Sequence, residues 1–70
     1  MDLRNRTITV GELLDHPASR SVFQRRFGHL MKHPMVAAGR SLTLAQLSEL
    51  ASAFLPQSVI QGTLQELERL

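Results

Sequence analysis

Residues 41–70 read SLTLAQLSELASAFLPQSVIQGTLQELERL, and their apolar spacing decides the fold class. Apolar side chains recur there every three or four residues, which places them on one side of a helix. The positions are Leu42, Leu44, Leu47, Leu50, Phe54, Val59, Ile60, Leu64 and Leu67. Pro56 interrupts the pattern and suits the first turn of a new helix. We therefore predict two helices, 43–54 and 56–69, whose apolar sides are buried under the rest of the chain.

Two shorter helices are predicted before this stretch. Thr9 and Glu12 have the spacing of a capping box, in which each side chain bonds the other's backbone N–H at a helix start. Pro17 ends that helix, because proline lacks an N–H and clashes with the preceding turn. The same residue suits the first turn of the next helix, 18–27, which Gly28 ends.

The remaining segments set the limits of the domain. Pro34 breaks the chain, and residues 35–38 are predicted to form one helical turn. Residues 1–6 are polar and charged, so we expect a flexible N-terminal tail there. A chain of 70 residues holds one domain, which we place at 7–70. The sequence predicts an all-α fold, a compact bundle of four to five short helices.

Composition and charge narrow the classes of function. The chain has no cysteine, which excludes disulfides, thiolate metal sites and thiol catalysis. Residues 1–40 carry seven basic and three acidic side chains, whereas 41–70 carry one basic and three acidic ones. The formal net charge is therefore +4 for residues 1–40 and −2 for residues 41–70. Such an asymmetry of charge suits either a surface that binds a polyanion or attraction between the two oppositely charged parts of the fold. No membrane-spanning run or signal peptide is visible, so we expect a cytoplasmic protein without membrane contact.

No constellation of residues predicts catalysis. His29 and His33 have a spacing that suits one metal ion on a helix, but zinc sites need three protein ligands and no third one is nearby in sequence. There is no Gly-x-Ser-x-Gly nucleophile elbow and no glycine-rich phosphate loop. We predict that the protein is not an enzyme and has no catalytic residues, metal or cofactor.

Protein binding is the predicted function, and its surface is the least regular segment, 30–36, with the basic residues before it. Methionine side chains adapt to irregular partner surfaces, although they also fill cores. The predicted partner-binding residues are Arg25, Arg26, Met31, Lys32 and Met35. The two arginines have an alternative role at the end of a helix, where cations complement its dipole. The expected partner is another protein or a neighbouring domain of a larger chain, and a weak homodimer is also considered.

DNA binding is the alternative function. The pair of helices 43–54 and 56–69 resembles the helix-turn-helix of winged-helix transcription regulators, with the second helix in the role of recognition helix. Its side chains that suit base reading are Gln57, Ser58, Gln61 and Thr63. Glu66 and Glu68 argue against this function, because DNA affinity comes mostly from neutralising phosphates.

Leu-Leu-x-x-Pro at 13–17 and His-Pro-Met at 33–35 are the most specific motifs of the chain. With them, residues 7–70 resemble the C-terminal accessory segment of some bacterial carbohydrate-active hydrolases. The matching residues are Leu13, Leu14, Pro17, Val22, Phe23, His33, Pro34, Met35, Leu44, Leu47, Ile60, Leu64 and Leu67. The chain is also similar to the hybrid-cluster-associated redox disulfide domain, but without its cysteines, so no redox role is implied. The resemblance implies a non-catalytic, all-α accessory or interaction module of bacterial origin.

Overall fold

The computed structural model describes every residue, Met1–Leu70, and it confirms the all-α fold class. The α-helices are α1 Val10–Asp15, α2 Pro17–Phe27, α3 Pro34–Ala38, α4 Leu44–Ala51 and α5 Gln57–Glu68. Two 3₁₀ turns, Arg4–Arg6 and Gly39–Ser41, precede α1 and α4. The radius of gyration of the Cα atoms is 11.0 Å, so the short helices form a compact bundle.

Both predicted capping boxes are present. Thr9 Oγ1 accepts the Glu12 N–H at 3.2 Å, while Glu12 Oε2 accepts the Thr9 N–H at 2.9 Å. Thr43 Oγ1 accepts the Gln46 N–H at 3.1 Å, while Gln46 Oε1 accepts the Thr43 N–H at 2.9 Å. Each pair satisfies two backbone donors that a helix start leaves free. Local sequence therefore fixes where α1 and α4 begin.

The helix ends agree with the prediction except in α4. Pro17 opens α2, and Gly28 follows its last residue. However, α4 ends at Ala51, whereas the sequence predicted a helix as far as 54. The Ser52 hydroxyl donates to Glu49 O at 2.6 Å, a local bond that competes with further helix. In addition, Pro56 disfavours a helical conformation at the residue before it, so the chain leaves the helix early.

The core lies mainly between α1, α2 and α5, because α2 packs against both of the other helices. Its buried apolar residues are Leu3, Ile8, Val10, Leu13, Leu14, Val22, Phe23, Leu44, Ile60, Leu64 and Leu67. α4 contributes Leu44 alone. The buried Ser19 joins α1 to α2, since its hydroxyl donates to Leu13 O. The centre of the fold is thus α5 with the first two helices, and α4 lies at its margin.

The first six residues pack more closely against the core than the sequence predicts. Leu3 is only 5% exposed and belongs to the core. The next three residues, Arg4–Arg6, all have left-handed φ angles, between 50° and 67°. Each such residue costs about 1–2 kcal/mol when it is not glycine. The Thr7 N–H and hydroxyl both donate to Arg4 O, at 3.1 and 2.6 Å, and hold this turn. The flexibility of 1–6 stays a prediction, but the core includes Leu3.

Candidate partner-binding surfaces

The clearest exposed apolar surface is on α4 and the turn after it. Leu50 lies in the last turn of α4, and Phe54 lies in the turn that follows the helix end at Ala51. Leu50 is 57% exposed and Phe54 is 86% exposed, whereas Leu47 is half-buried and packs against the core. We call the two exposed residues, Leu50 and Phe54, the α4 apolar stripe. The prediction that Leu50 and Phe54 are buried is therefore wrong.

The position of α4 explains why the stripe is uncovered. No other helix packs closely along α4, whereas α2 is flanked by α1 and α5. The α4 helix is attached at its start, where Leu44 is buried and its N–H donates to Ile8 O at 2.8 Å. Because α4 ends at Ala51, the Phe54 ring lies in the turn after the helix and is not packed against the bundle. Exposed large apolar side chains that together form a patch mark many contact surfaces, whereas single ones are ordinary.

The predicted surface at 30–36 is divided between core and solvent. Met31 and Val36 are half-buried and pack against the core. Leu30 is exposed, Lys32 is exposed, and Met35 is 67% exposed. Met35 and Lys32 are therefore available to a partner, while Met31 also has a packing role. That this segment binds a partner stays a prediction.

Arg25 and Arg26 converge on one carboxylate of α5. Arg26 Nε donates to Glu66 Oε1 at 2.7 Å, and Arg25 donates to Glu66 Oε2. The Glu66 side chain is only 26% exposed, so the ion pairs tie α2 to α5 at the rim of the core. Surface ion pairs contribute at most about 1 kcal/mol each. No sequence pattern predicts this cluster, because Glu66 lies 40 and 41 positions from the two arginines.

The histidines do not form a cluster. His33 is the N-cap of α3, where its Nδ1 accepts the Met35 N–H at 3.1 Å. His29 lies in the turn after α2, so the two side chains do not share a helix. No three His, Asp or Glu side chains are close enough together to hold a metal ion. The predictions of no metal, no cofactor and no catalysis remain predictions.

The outward side of α5 carries the residues of the DNA-binding alternative, with one correction. Gln57, Ser58 and Gln61 are exposed. Thr63 is buried, and its hydroxyl donates to Val59 O within the same helix at 2.8 Å. Thr63 therefore cannot read base edges from this position. Gln65, one turn after Gln61, is exposed instead.

No known protein family, curated protein or solved structure matches this chain. The resemblances to the hydrolase accessory segment and to the redox disulfide domain therefore stay predictions. None of the helices combines the length and the apolar character that crossing a membrane requires. The function proposed for this protein accordingly rests on the geometry of its surfaces.

Proposed function

We propose that this chain is a non-catalytic helical module that binds another protein, or a neighbouring domain of a larger chain, through the α4 apolar stripe. The observation that carries the proposal is the exposure of Leu50 and Phe54 beside a core that is complete without them. The proposal includes a cytoplasmic location in a bacterium, because no membrane-spanning run or signal peptide is visible in the sequence and the chain resembles modules of bacterial proteins.

The energetics support binding at the stripe. Covering an exposed Leu or Phe side chain is worth about 1.5–3 kcal/mol, so two such anchors supply a useful share of a binding energy. Anchors of this kind, in a small apolar patch with a polar rim, dominate many protein interfaces. The exposed polar residues Gln46, Glu49 and Ser52 provide such a rim.

The stripe is small. Two exposed side chains offer less apolar area than the roughly 800 Å² that a stable complex buries on each partner. We therefore expect a partner that offers an apolar helix or groove and binds weakly or as part of a larger contact.

The proposal is tested by comparing captured proteins for the wild type and two variants. The immobilised chain is incubated with host lysate and cross-linked, and bound proteins are quantified by mass spectrometry. Leu50→Ser/Phe54→Ser removes both exposed anchors of the stripe. Met35→Ser tests the segment 30–36 as the competing surface, because Met35 is also apolar and 67% exposed but lies on α3. We expect the double variant to lose a partner at least tenfold, and Met35→Ser to keep it.

Two results contradict the proposal. If the double variant captures the same proteins in the same amounts, the stripe does not bind a partner. If Met35→Ser loses the partner and the double variant keeps it, the binding surface is the segment 30–36. Cross-links of the captured partner mapped to α4 or to α3 give an independent assignment of the surface.

A further inference from the structure

A second surface, on α5, has a different chemistry. One side of this helix is buried and consists of Ile60, Thr63, Leu64 and Leu67. The exposed side runs from the groove beside α4 outward and consists of Gln57, Ser58, Gln61 and Gln65, with Glu68 in the same row; we call it the α5 outer face. The three glutamines are each one turn apart, so their amides form a row along the helix. Each amide offers both hydrogen-bond donors and an acceptor.

The ion pairs at Glu66 change the charge on the side of α5 next to Ser58 and Gln65, away from Gln57 and Gln61. Judged from the sequence alone, the negative charge of Glu66 disfavours the binding of an anionic ligand. In the structure Arg25 and Arg26 both bind its carboxylate, so this edge of α5 carries one net positive charge. The Arg25 side chain remains 61% exposed and has further N–H donors free. Arg26 lies over α5, with its guanidinium nitrogens 3.8 and 3.9 Å from the point where a Cβ on Gly62 would stand.

Two more arginines border the outer face without an acidic partner. Arg6 lines a shallow groove together with Gln57 and Gln61. Arg69 is the exposed residue directly after α5. Neither side chain forms an ion pair. Acidic residues oppose them, since Glu49 lines the same groove and Glu68 is exposed on α5.

We infer that the α5 outer face binds duplex DNA, with the glutamine amides in the major groove and Arg6, Arg25 and Arg69 at the flanking phosphates. The 12 residues of α5 make a helix about 18 Å long, and the major groove of B-form DNA admits a helix. Glutamine pairs with the N6 and N7 edge of adenine in that groove. The nearby Glu49 and Glu68 keep the net charge of this region low, so the binding is weak and sensitive to salt. This surface adjoins the protein-binding surface at Glu49 and Ser52, but it does not include Leu50 or Phe54.

The test is fluorescence anisotropy of a labelled random-sequence DNA duplex with the full chain, at about 50 and 200 mM salt. Three phosphate contacts weaken binding about 40-fold over that range. Arg6→Gln and Arg69→Gln should each lower the salt slope by about one, because each removes one phosphate contact. Arg20→Gln is the matched control: Arg20 is exposed and without an ion pair, and it points about 140° away from Arg25 around α2. Circular dichroism confirms that each variant is folded.

Three results overturn the inference. The first is the absence of binding at the lower salt concentration. The second is a loss of affinity in Arg20→Gln equal to that in Arg6→Gln and Arg69→Gln. Binding would then depend on the net charge of the protein and not on the α5 outer face. The third is equal or tighter binding of duplex RNA, whose deep, narrow major groove excludes a helix. Leu50→Ser/Phe54→Ser should bind DNA as the wild type does, so failure here and failure of the protein-binding proposal are separate results.

Discussion

Thr9 and Thr43 face each other across an isolated antiparallel bridge, and each is the N-cap of a helix. The backbone is paired beside them, as in the hydrogen bond from Leu44 N–H to Ile8 O at 2.8 Å. The first turns of α1 and α4 are thus held side by side. This pairing and the packing of Leu44, Leu47 and Ala51 against the core attach α4, although no other helix runs closely along it.

Replacing Thr43 by alanine should therefore destabilise α4 more than the domain as a whole. Loss of a threonine cap costs about 1 kcal/mol. We expect faster hydrogen exchange at the Gln46 and Leu47 amides and a small drop in the urea midpoint. Thr43→Ser keeps the hydroxyl and is the control, with near wild-type exchange. Unchanged exchange in Thr43→Ala would show that the bridge alone fixes the start of α4.

Alanine at two helix glycines should have opposite effects on stability. Gly62→Ala should raise the free energy of unfolding by about 1 kcal/mol, the difference in helix propensity. Its new Cβ meets only the flexible Arg26 guanidinium, at 3.8 Å. Gly11→Ala should lower the free energy, because its Cβ would lie 3.1 Å from the backbone oxygen of Arg40. Urea unfolding of both variants measures the two signs, and a stabilising Gly11→Ala would contradict this account of the packing.

Part of the stability should be lost in acid through Glu12. The Thr9 backbone N–H holds the pKa of this carboxyl below its ordinary value of 4.5; desolvation opposes this, and the Thr9 hydroxyl and Arg4 add to it. Because the pKa is lower in the folded state, the stabilisation is present above the ordinary value and is lost as pH falls through the folded one. Unfolding measured across pH should show this loss.

Glu12→Gln is the control for this pH dependence, because glutamine keeps an acceptor for the Thr9 N–H but cannot ionise. The wild type should be more stable than Glu12→Gln at neutral pH, and the difference should shrink in acid. A difference that stays constant down to low pH would mean that the charge of Glu12 does not stabilise the fold.

The two methionines of the segment 30–36 should respond differently to serine. Met31 is half-buried against the core, so Met31→Ser should lower the free energy of unfolding by about 1 kcal/mol or more. Met35 is exposed, so Met35→Ser should change it by less than about 0.5 kcal/mol. Thermal unfolding distinguishes the two cases. Equal losses in both variants would place Met35 in the core as well.

The features that the sequence predicted well are local ones. Thr9 with Glu12 and Thr43 with Gln46 each fix a helix start within four residues, and Pro17 separates α1 from α2 through its own geometry. Each of these signals acts between near neighbours, so no knowledge of the tertiary fold is needed to interpret it.

The features that the sequence missed depend on tertiary structure or on unusual backbone conformation. The spacing of Leu50 and Phe54 predicts one side of a continuous helix, but it shows neither that the helix ends between them nor that no other element covers them. The ion pairs of Arg25 and Arg26 with Glu66 join distant positions and have no spacing pattern. The left-handed turn Arg4–Arg6 contains no glycine, the residue that normally marks such a turn.

We propose that the α4 apolar stripe binds a partner and contributes little to the stability of the fold. The most direct test of this proposal is the free energy of unfolding of Leu50→Ser/Phe54→Ser, measured in urea beside the wild type. Leu67→Ala is the reference for a core residue, because Leu67 is fully buried, and it should lose about 2–5 kcal/mol. We expect a change below about 0.5 kcal/mol for the stripe variant. A loss close to that of Leu67→Ala would instead place Leu50 and Phe54 in the core.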